Sequence, residues 1–171
     1  VARWKKYLAD GGEVCKFVPA SGAASRMFKA LFSFVEGEND VPAEGSDVAK
    51  LIADIHNLAF FGELNDAVLK LHGKDVDSLI AEGRNKDVIA AIILPEGLNY
   101  GNLPKGLLTF HAYADGATRT SVEEQLVEGA QSATGADGVV HLHFTVSGNH
   151  RQLFADKLTA KVPALEVKMG V

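Results

Sequence analysis

The sequence predicts an α/β fold of three layers, in which helices cover a Rossmann-like parallel sheet that is interrupted by a helical insertion. Three observations lead to this prediction. A short apolar run at 14–19 leads through small residues into an amphipathic segment, which is typical of a strand, a turn and a helix. Residues 46–94 keep a helical period, and strand and helix patterns alternate after residue 105.

The N-terminal part predicts one strand between two helices. A short helix at 3–9 ends at Asp10-Gly11-Gly12, and a strand at 14–19 precedes a helix at 24–36. The apolar side chains of that second helix recur at helical spacing and are expected to face the sheet; they are Ala24, Met27, Phe28, Leu31 and Val35.

The block 46–94 predicts a helical insertion, or cap, with its own small core. Ser46 can cap its first helix. Helices are predicted at 47–61, 63–72, 75–82 and 88–94. The apolar run 88–94 fits a helix or a strand, and the continuing period of 3.6 residues favours a helix. A role of the block in protein contacts stays open, and it would require an exposed apolar patch there.

The C-terminal part predicts strands that alternate with helices, and hence a parallel sheet. Two capping boxes mark the starts of helices, and they are formed by Thr120 with Glu123 and by Asn149 with Gln152. The helices are predicted at 121–133 and 150–161. The strands are predicted at 107–111, 140–146 and 165–169.

Composition narrows the function classes. The chain has 171 residues and a net charge of -5, which fits one domain and argues against a broad nucleic-acid surface. No apolar run is long enough to cross a bilayer. The one cysteine, Cys15, excludes an intrachain disulfide, is expected to be buried and fits a cytoplasmic location. The chain starts at Val1 and ends after an apolar run, so we expect a fragment of a longer protein.

The turn after the first strand predicts a phosphate site. Small residues let a ligand approach the backbone, and a helix N-terminus presents unpaired N–H groups to an anion. Arg26 adds a cation with planar donors. The small residues are Ala20, Ser21, Gly22, Ala23, Ala24 and Ser25. Many such units bind nothing, so a purely structural turn is an equal alternative.

A second segment is expected to join this turn. Lys105 lies between Pro104 and Gly106, and a lysine in such a rigid setting suits phosphate oxygens. The alternative is a solvated loop lysine.

Other candidate residues have plainer explanations beside the functional ones. His141 and His143 share a strand face and could bind a metal ion, although a polar sheet face explains them better. Asp115 could be a metal ligand, although an aspartate before Gly116 is typical of a turn. Four further side chains could lie near a ligand or merely on a surface or in a loop; they are Asn99, Tyr100, His111 and Tyr113.

Three segments carry a resemblance to known families: VPASGAASRM, LPKGLL and RTSVEEQLVEGA. They are similar to the N-terminal signature of the sugar-phosphate nucleotidyltransferases with a GT-A-type fold. Most of the chain also resembles an uncharacterised bacterial family of longer proteins. In that family VPASGAASRM and GLNYGNLPKGLL recur.

The first resemblance implies a nucleotidyltransferase, or its N-terminal half, that joins a nucleoside triphosphate to a sugar 1-phosphate and releases pyrophosphate. It implies that the small-residue turn lies against the phosphates and that Arg26 and Lys105 are catalytic. Mg²⁺ is implied as the cofactor, with ligands that we cannot place. Glu124-Gln125 stands where the family has Glu-His.

The chain departs from that family in three ways. Ser21 and Ala24 replace the usual glycines, the spacing from Arg26 to Lys105 is longer, and a metal-binding Asp is not evident. These departures keep an alternative open, a non-catalytic module that binds a nucleotide or a sugar phosphate. No nucleic acid or membrane partner is expected, and the oligomeric state is left open.

Overall fold

The computed structural model describes residues 1–161, in which eight α-helices and four strands are found. The helices are α1 Ala2–Ala9, α2 Lys29–Glu36, α3 Asp47–Ala53, α4 Phe61–His72, α5 Val76–Ala81, α6 Asn85–Ile93, α7 Ser121–Ser132 and α8 Arg151–Lys161. The strands are β1 Cys15–Pro19, β2 Thr109–Ala112, β3 Thr118–Thr120 and β4 His141–Thr145. Close to half of residues 1–161 are therefore helical. The strand predicted at 165–169 lies outside the described residues.

The described strands form two small sheets. β1 and β4 pair in parallel, with Cys15 opposite His141 and Pro19 opposite Thr145. β2 and β3 form an antiparallel hairpin, because the turn with Gly116 at φ +82° reverses the chain at once. The fold is thus mixed α/β, and the described residues do not form the predicted three-layer Rossmann-like sheet. The strand pattern at 107–111 belongs to the hairpin.

A helical core holds most of the buried apolar side chains. It is built by α2 to α6, and fully buried members include Leu64, Leu79 and Ile92. The run 88–94 is helical as favoured, since α6 covers most of it. The Ser46 cap is also confirmed, because its Oγ accepts the N–H of Ala49 at 3.2 Å.

Helix α2 packs into this helical core, so the prediction that its apolar side faces the sheet is wrong. Phe28 and Leu31 are buried among the residues of the helical core, and Ala24 is fully buried there. Met27 is 44% exposed. The spacing correctly gave the apolar side of the helix, but it could not say which element covers that side.

A smaller core lies between α7, α8 and the parallel sheet, around Val122, Phe154 and Leu158. The predicted capping box at the start of α7 is confirmed: the Thr120 hydroxyl accepts a hydrogen bond from the Glu123 N–H, and the Glu123 carboxylate accepts one from the Thr120 N–H.

The second predicted capping box is wrong. Asn149 lies inside a 3-10 turn at Gly148–His150, and Gln152 donates to Asp156 at 2.7 Å instead of capping a helix.

Tyr100 connects the helical core to the hairpin. Its ring packs on Phe28 and Phe60, with centroids 6.3 and 4.9 Å away. Its hydroxyl oxygen accepts the N–H of Thr109, the first residue of β2, at 3.2 Å. Burial raises the pKa of Tyr100, so the phenol stays neutral and can hold this bond over the physiological range. The Thr109 hydroxyl donates to Glu63 of α4 at 3.2 Å.

Replacing Thr120 by Ala tests the capping box. The hydroxyl is buried and bonds both the N–H and the carboxylate of Glu123. Its loss is expected to lower the free energy of unfolding by about 1–2 kcal/mol, measured by urea denaturation. Thr118→Ala, in the exposed part of β3, is the matched control and should change it by less than about 0.5 kcal/mol. Equal losses in the two variants would contradict the capping role.

Candidate functional site

Two segments far apart in the chain meet at the end of β1. Ala23 and Pro104 form an antiparallel backbone bridge, and the Lys105 N–H donates to the Gly22 carbonyl at 3.0 Å. The Ala20 N–H donates to the Thr145 carbonyl of β4 at 2.8 Å. These bonds fix the start of the turn against the parallel sheet and bring Lys105 beside it.

A cavity of about 270 Å³ opens at this junction. Four parts of the chain contribute to it: the end of β1 with the turn, the 105–106 segment, the first turns of α7 and one side chain from β4. The lining residues are Val18, Pro19, Ala20, Gly22, Lys105, Gly106, Ser121, Val122, Gln125 and Phe144. A Cβ atom at Gly22 would meet no atom within 4 Å, so the space beside this part of the turn is free.

The predicted site residues divide into three groups. Ala20, Gly22 and Lys105 line the cavity. Arg26 is exposed and is not among the lining residues. The rest of the turn does not line the cavity either: Ser21, Ala23 and Ser25 are exposed and Ala24 is buried. The helix begins only at Lys29, so Arg26 lies in the turn before α2 rather than within the helix.

Helix α7 contributes residues that the local pattern did not point to. Ser121 and Val122, in the first turn of α7, line the cavity, and Gln125 lines it one turn later. The signal that could have found them was the Thr120–Glu123 capping box, since it fixes where α7 begins. The sequence does not show that this helix start lies next to Lys105.

Beside the cavity, one carboxylate oxygen of α7 accepts a hydrogen bond from the hairpin and lies near two of its basic side chains. Glu124 Oε1 accepts the Tyr113 hydroxyl, and it lies 3.3 Å from His111 Nδ1 and 3.6 Å from Arg119 Nη1. The Arg119 guanidinium also lies 4.6 Å from the Tyr113 ring centre. The hydrogen bond from Tyr113 is the main cause that lowers the pKa of Glu124. The same bond raises the pKa of Tyr113.

The described residues contain no group of three His, Cys, Asp or Glu side chains that could hold a metal ion. The His143 ring stacks on Phe17 at 5.1 Å, and Asp115 accepts the Ala117 N–H at 3.0 Å within its turn. A Mg²⁺ site built from three such side chains is therefore not found among residues 1–161.

Burial and hydrogen bonding decide the expectations for three further residues. Tyr100 is 3% exposed and is closed to a ligand, while Asn99 bonds Asn102 at 2.7 Å. Cys15 is exposed, so its predicted burial is wrong, because the described elements leave that face of β1 open.

On the helical block, the large apolar side chains exposed by 40% or more are Leu69 and Leu71. Among the described residues, no helix is both long enough and apolar enough to span a bilayer.

The fold and the site define a mixed α/β domain with a small cleft beside a strand–turn–helix unit. The family model described as "Domain of unknown function (DUF4301)" matches residues 1–171, and the chain belongs to this family. The chain matches none of the curated proteins and none of the solved structures with which it was compared. The family match brings no activity with it.

Replacing Glu124 by Gln tests the electrostatics of the hairpin contact. The pKa of Glu124 is lowered in the folded state, so its stabilising effect is present above the ordinary value of about 4.3 and is lost as the pH falls through the lower folded-state value. The gap between wild type and Glu124→Gln in free energy of unfolding is therefore expected to stay constant from pH 7 to about 5 and to narrow as the pH falls below about 4.3.

The matched control for this titration is Glu96→Gln, because Glu96 forms no ion pair with any described residue. Its gap to wild type should change less than that of Glu124→Gln over the same range, because no ion pair is removed, measured by urea denaturation at each pH. A gap for Glu124→Gln that stays constant would overturn the electrostatic role of the Glu124 carboxylate.

Proposed function

We propose that this domain binds a nucleoside triphosphate in the cavity, with the phosphates at Lys105, and transfers the nucleotidyl group to a sugar 1-phosphate. One observation supports this most directly: the backbone pairing of residues 22–23 with 104–105 places a lysine beside an open turn of small residues. A lysine whose backbone is held next to accessible main-chain groups is an arrangement that suits phosphate oxygens.

The charges around the cavity support an anionic ligand. Lys105 has no ion-pair partner among the described residues, and it is the charged member of the cavity lining. An unpaired ammonium group loses little by binding phosphate, since no existing pair has to be broken. Arg26, in the turn after β1 and also without a described ion pair, can supply a second cation.

The proposed reaction is an in-line displacement. An oxygen of the sugar 1-phosphate attacks the α-phosphorus, a new P–O bond forms, and the bond to the β-phosphate oxygen breaks with release of pyrophosphate. Lys105 would neutralise negative charge on the triphosphate and on the departing group, which is the main task in such transfers. No step is assigned to Mg²⁺, because the described residues offer no ligand cluster for it.

The size of the cavity favours a second candidate, a module that binds a nucleotide or a sugar phosphate without transfer. Its volume of about 270 Å³ lies just below the range of about 300–1,000 Å³ that is typical of small-molecule sites. It therefore suits one phosphorylated group better than two substrates together.

The test compares Lys105→Ala and Arg26→Ala with wild type in thermal unfolding against a panel of nucleoside triphosphates and sugar phosphates, with and without Mg²⁺. A ligand at a hundredfold excess over its dissociation constant stabilises the native state by about 2.7 kcal/mol. Lys105→Ala is expected to weaken binding about 10- to 100-fold, since a charged hydrogen bond is lost. Arg26→Ala should cost less, because its side chain lies outside the cavity.

Lys70→Ala is the matched control, since Lys70 is an exposed lysine of α4 that does not line the cavity, and it should bind as wild type does. Release of pyrophosphate from the stabilising triphosphate and a sugar 1-phosphate separates transfer from binding alone. Absence of any shift in the wild-type protein across the panel would overturn both candidates.

A further inference from the structure

We propose that the cavity has two ends, and that Gln125 with Ser121 forms the second end, where it recognises the polar edge of a neutral ring, a nucleobase or a sugar. This inference rests on the proposed function, because it assumes that Lys105 binds the phosphate of the same ligand. It adds a specificity-determining residue for the part of the ligand that carries no charge.

The spacing on α7 places both polar side chains along the cavity. Ser121 and Gln125 are four residues apart and both line it, so they lie on one side of the helix about 6 Å apart along its axis. Neither the Ser121 hydroxyl nor the Gln125 amide bonds another described side chain or backbone group. Both residues are half-buried, and their hydrogen-bonding groups remain available to a ligand.

Much of the rest of the lining is apolar. Val122 is 2% exposed, and Val18 and Phe144 also line the cavity. An apolar wall with a few polar groups at its edge suits a ring, whose face packs on the wall while its edge is hydrogen-bonded. An amide both donates and accepts, so it matches the mixed edge of a base or a sugar.

The charge of the cavity lining is confined to one residue. Lys105 is the charged residue of the lining that the structure describes. The nearest carboxylate in sequence to Gln125 is Glu124, and it is held by Tyr113, His111 and Arg119 of the hairpin. An anionic group is therefore favoured at Lys105, and a neutral polar group at Gln125. A cavity of about 270 Å³ has room for one phosphate and one ring.

The test compares two kinds of probe by isothermal titration. Pyrophosphate carries the phosphate alone, while nucleoside triphosphates with different bases and sugar 1-phosphates carry phosphate and ring. Gln125→Met keeps the length of the side chain but loses its hydrogen bonds. It is expected to weaken the best-binding ring-bearing ligand about tenfold and pyrophosphate less than twofold. Lys105→Ala should weaken both probes.

Two further variants make the result specific. Gln125→Asn, which keeps the amide on a shorter stem, should recover part of the affinity. Gln131→Met, an exposed glutamine of α7 that does not line the cavity, should leave all affinities unchanged. Equal unfolding temperatures of the ligand-free variants show that the fold is retained.

The outcomes distinguish the two proposals. A loss that depends on the base assigns Gln125 to a nucleobase, and a loss seen with sugar 1-phosphates assigns it to a sugar. If Gln125→Met binds the ring-bearing ligands as tightly as wild type does, the proposed role of Gln125 is wrong. It is also wrong if the variant loses as much affinity for pyrophosphate as for these ligands. Neither result contradicts the proposed function. If the wild-type protein binds none of the probes, the proposed function fails, and this inference fails with it.

Discussion

The pairing of residues 22–23 with 104–105 is the constraint on which the candidate site depends. The bridge from Ala23 to Pro104 and the hydrogen bond from Lys105 to Gly22 join the end of β1 to the segment that follows the helical core. The segment between them, which contains α2 to α6, therefore begins and ends at the same place in the fold. The cavity exists because this segment closes there and α7 starts beside it.

The two hydrophobic cores hold different elements of the fold in place. The helical core holds the larger share of buried apolar side chains and fixes α2 against α6. The smaller core holds α7 and α8 on the parallel sheet, and it positions Ser121 and Gln125. Tyr100 links the helical core to the hairpin through its ring contacts and its bond to Thr109. The cavity lining shares Ala20, Val122 and Phe144 with the smaller core, so its geometry depends directly on that core.

Local signals in the sequence were sufficient for most elements but not for their partners. The first strand, the Ser46 cap and the Thr120–Glu123 box follow from short-range chemistry, and the structure has them all. β3 is three residues long and carries no pattern. The spacing in α2 gave an apolar face without showing whether a sheet or other helices would cover it. Likewise Ser121 became a cavity residue only through long-range packing.

The parallel pair of β1 and β4 has a consequence for how the chain reaches its native state. It joins the beginning of the chain to a segment near its end, whereas the helical core is built from neighbouring elements. Contacts of high sequence separation carry a large loop-closure entropy and form slowly. The helical core is thus expected to assemble first, and the cleft last. A partly folded population would show the part of the native helical circular dichroism signal that α2 to α6 contribute, while lacking the cleft.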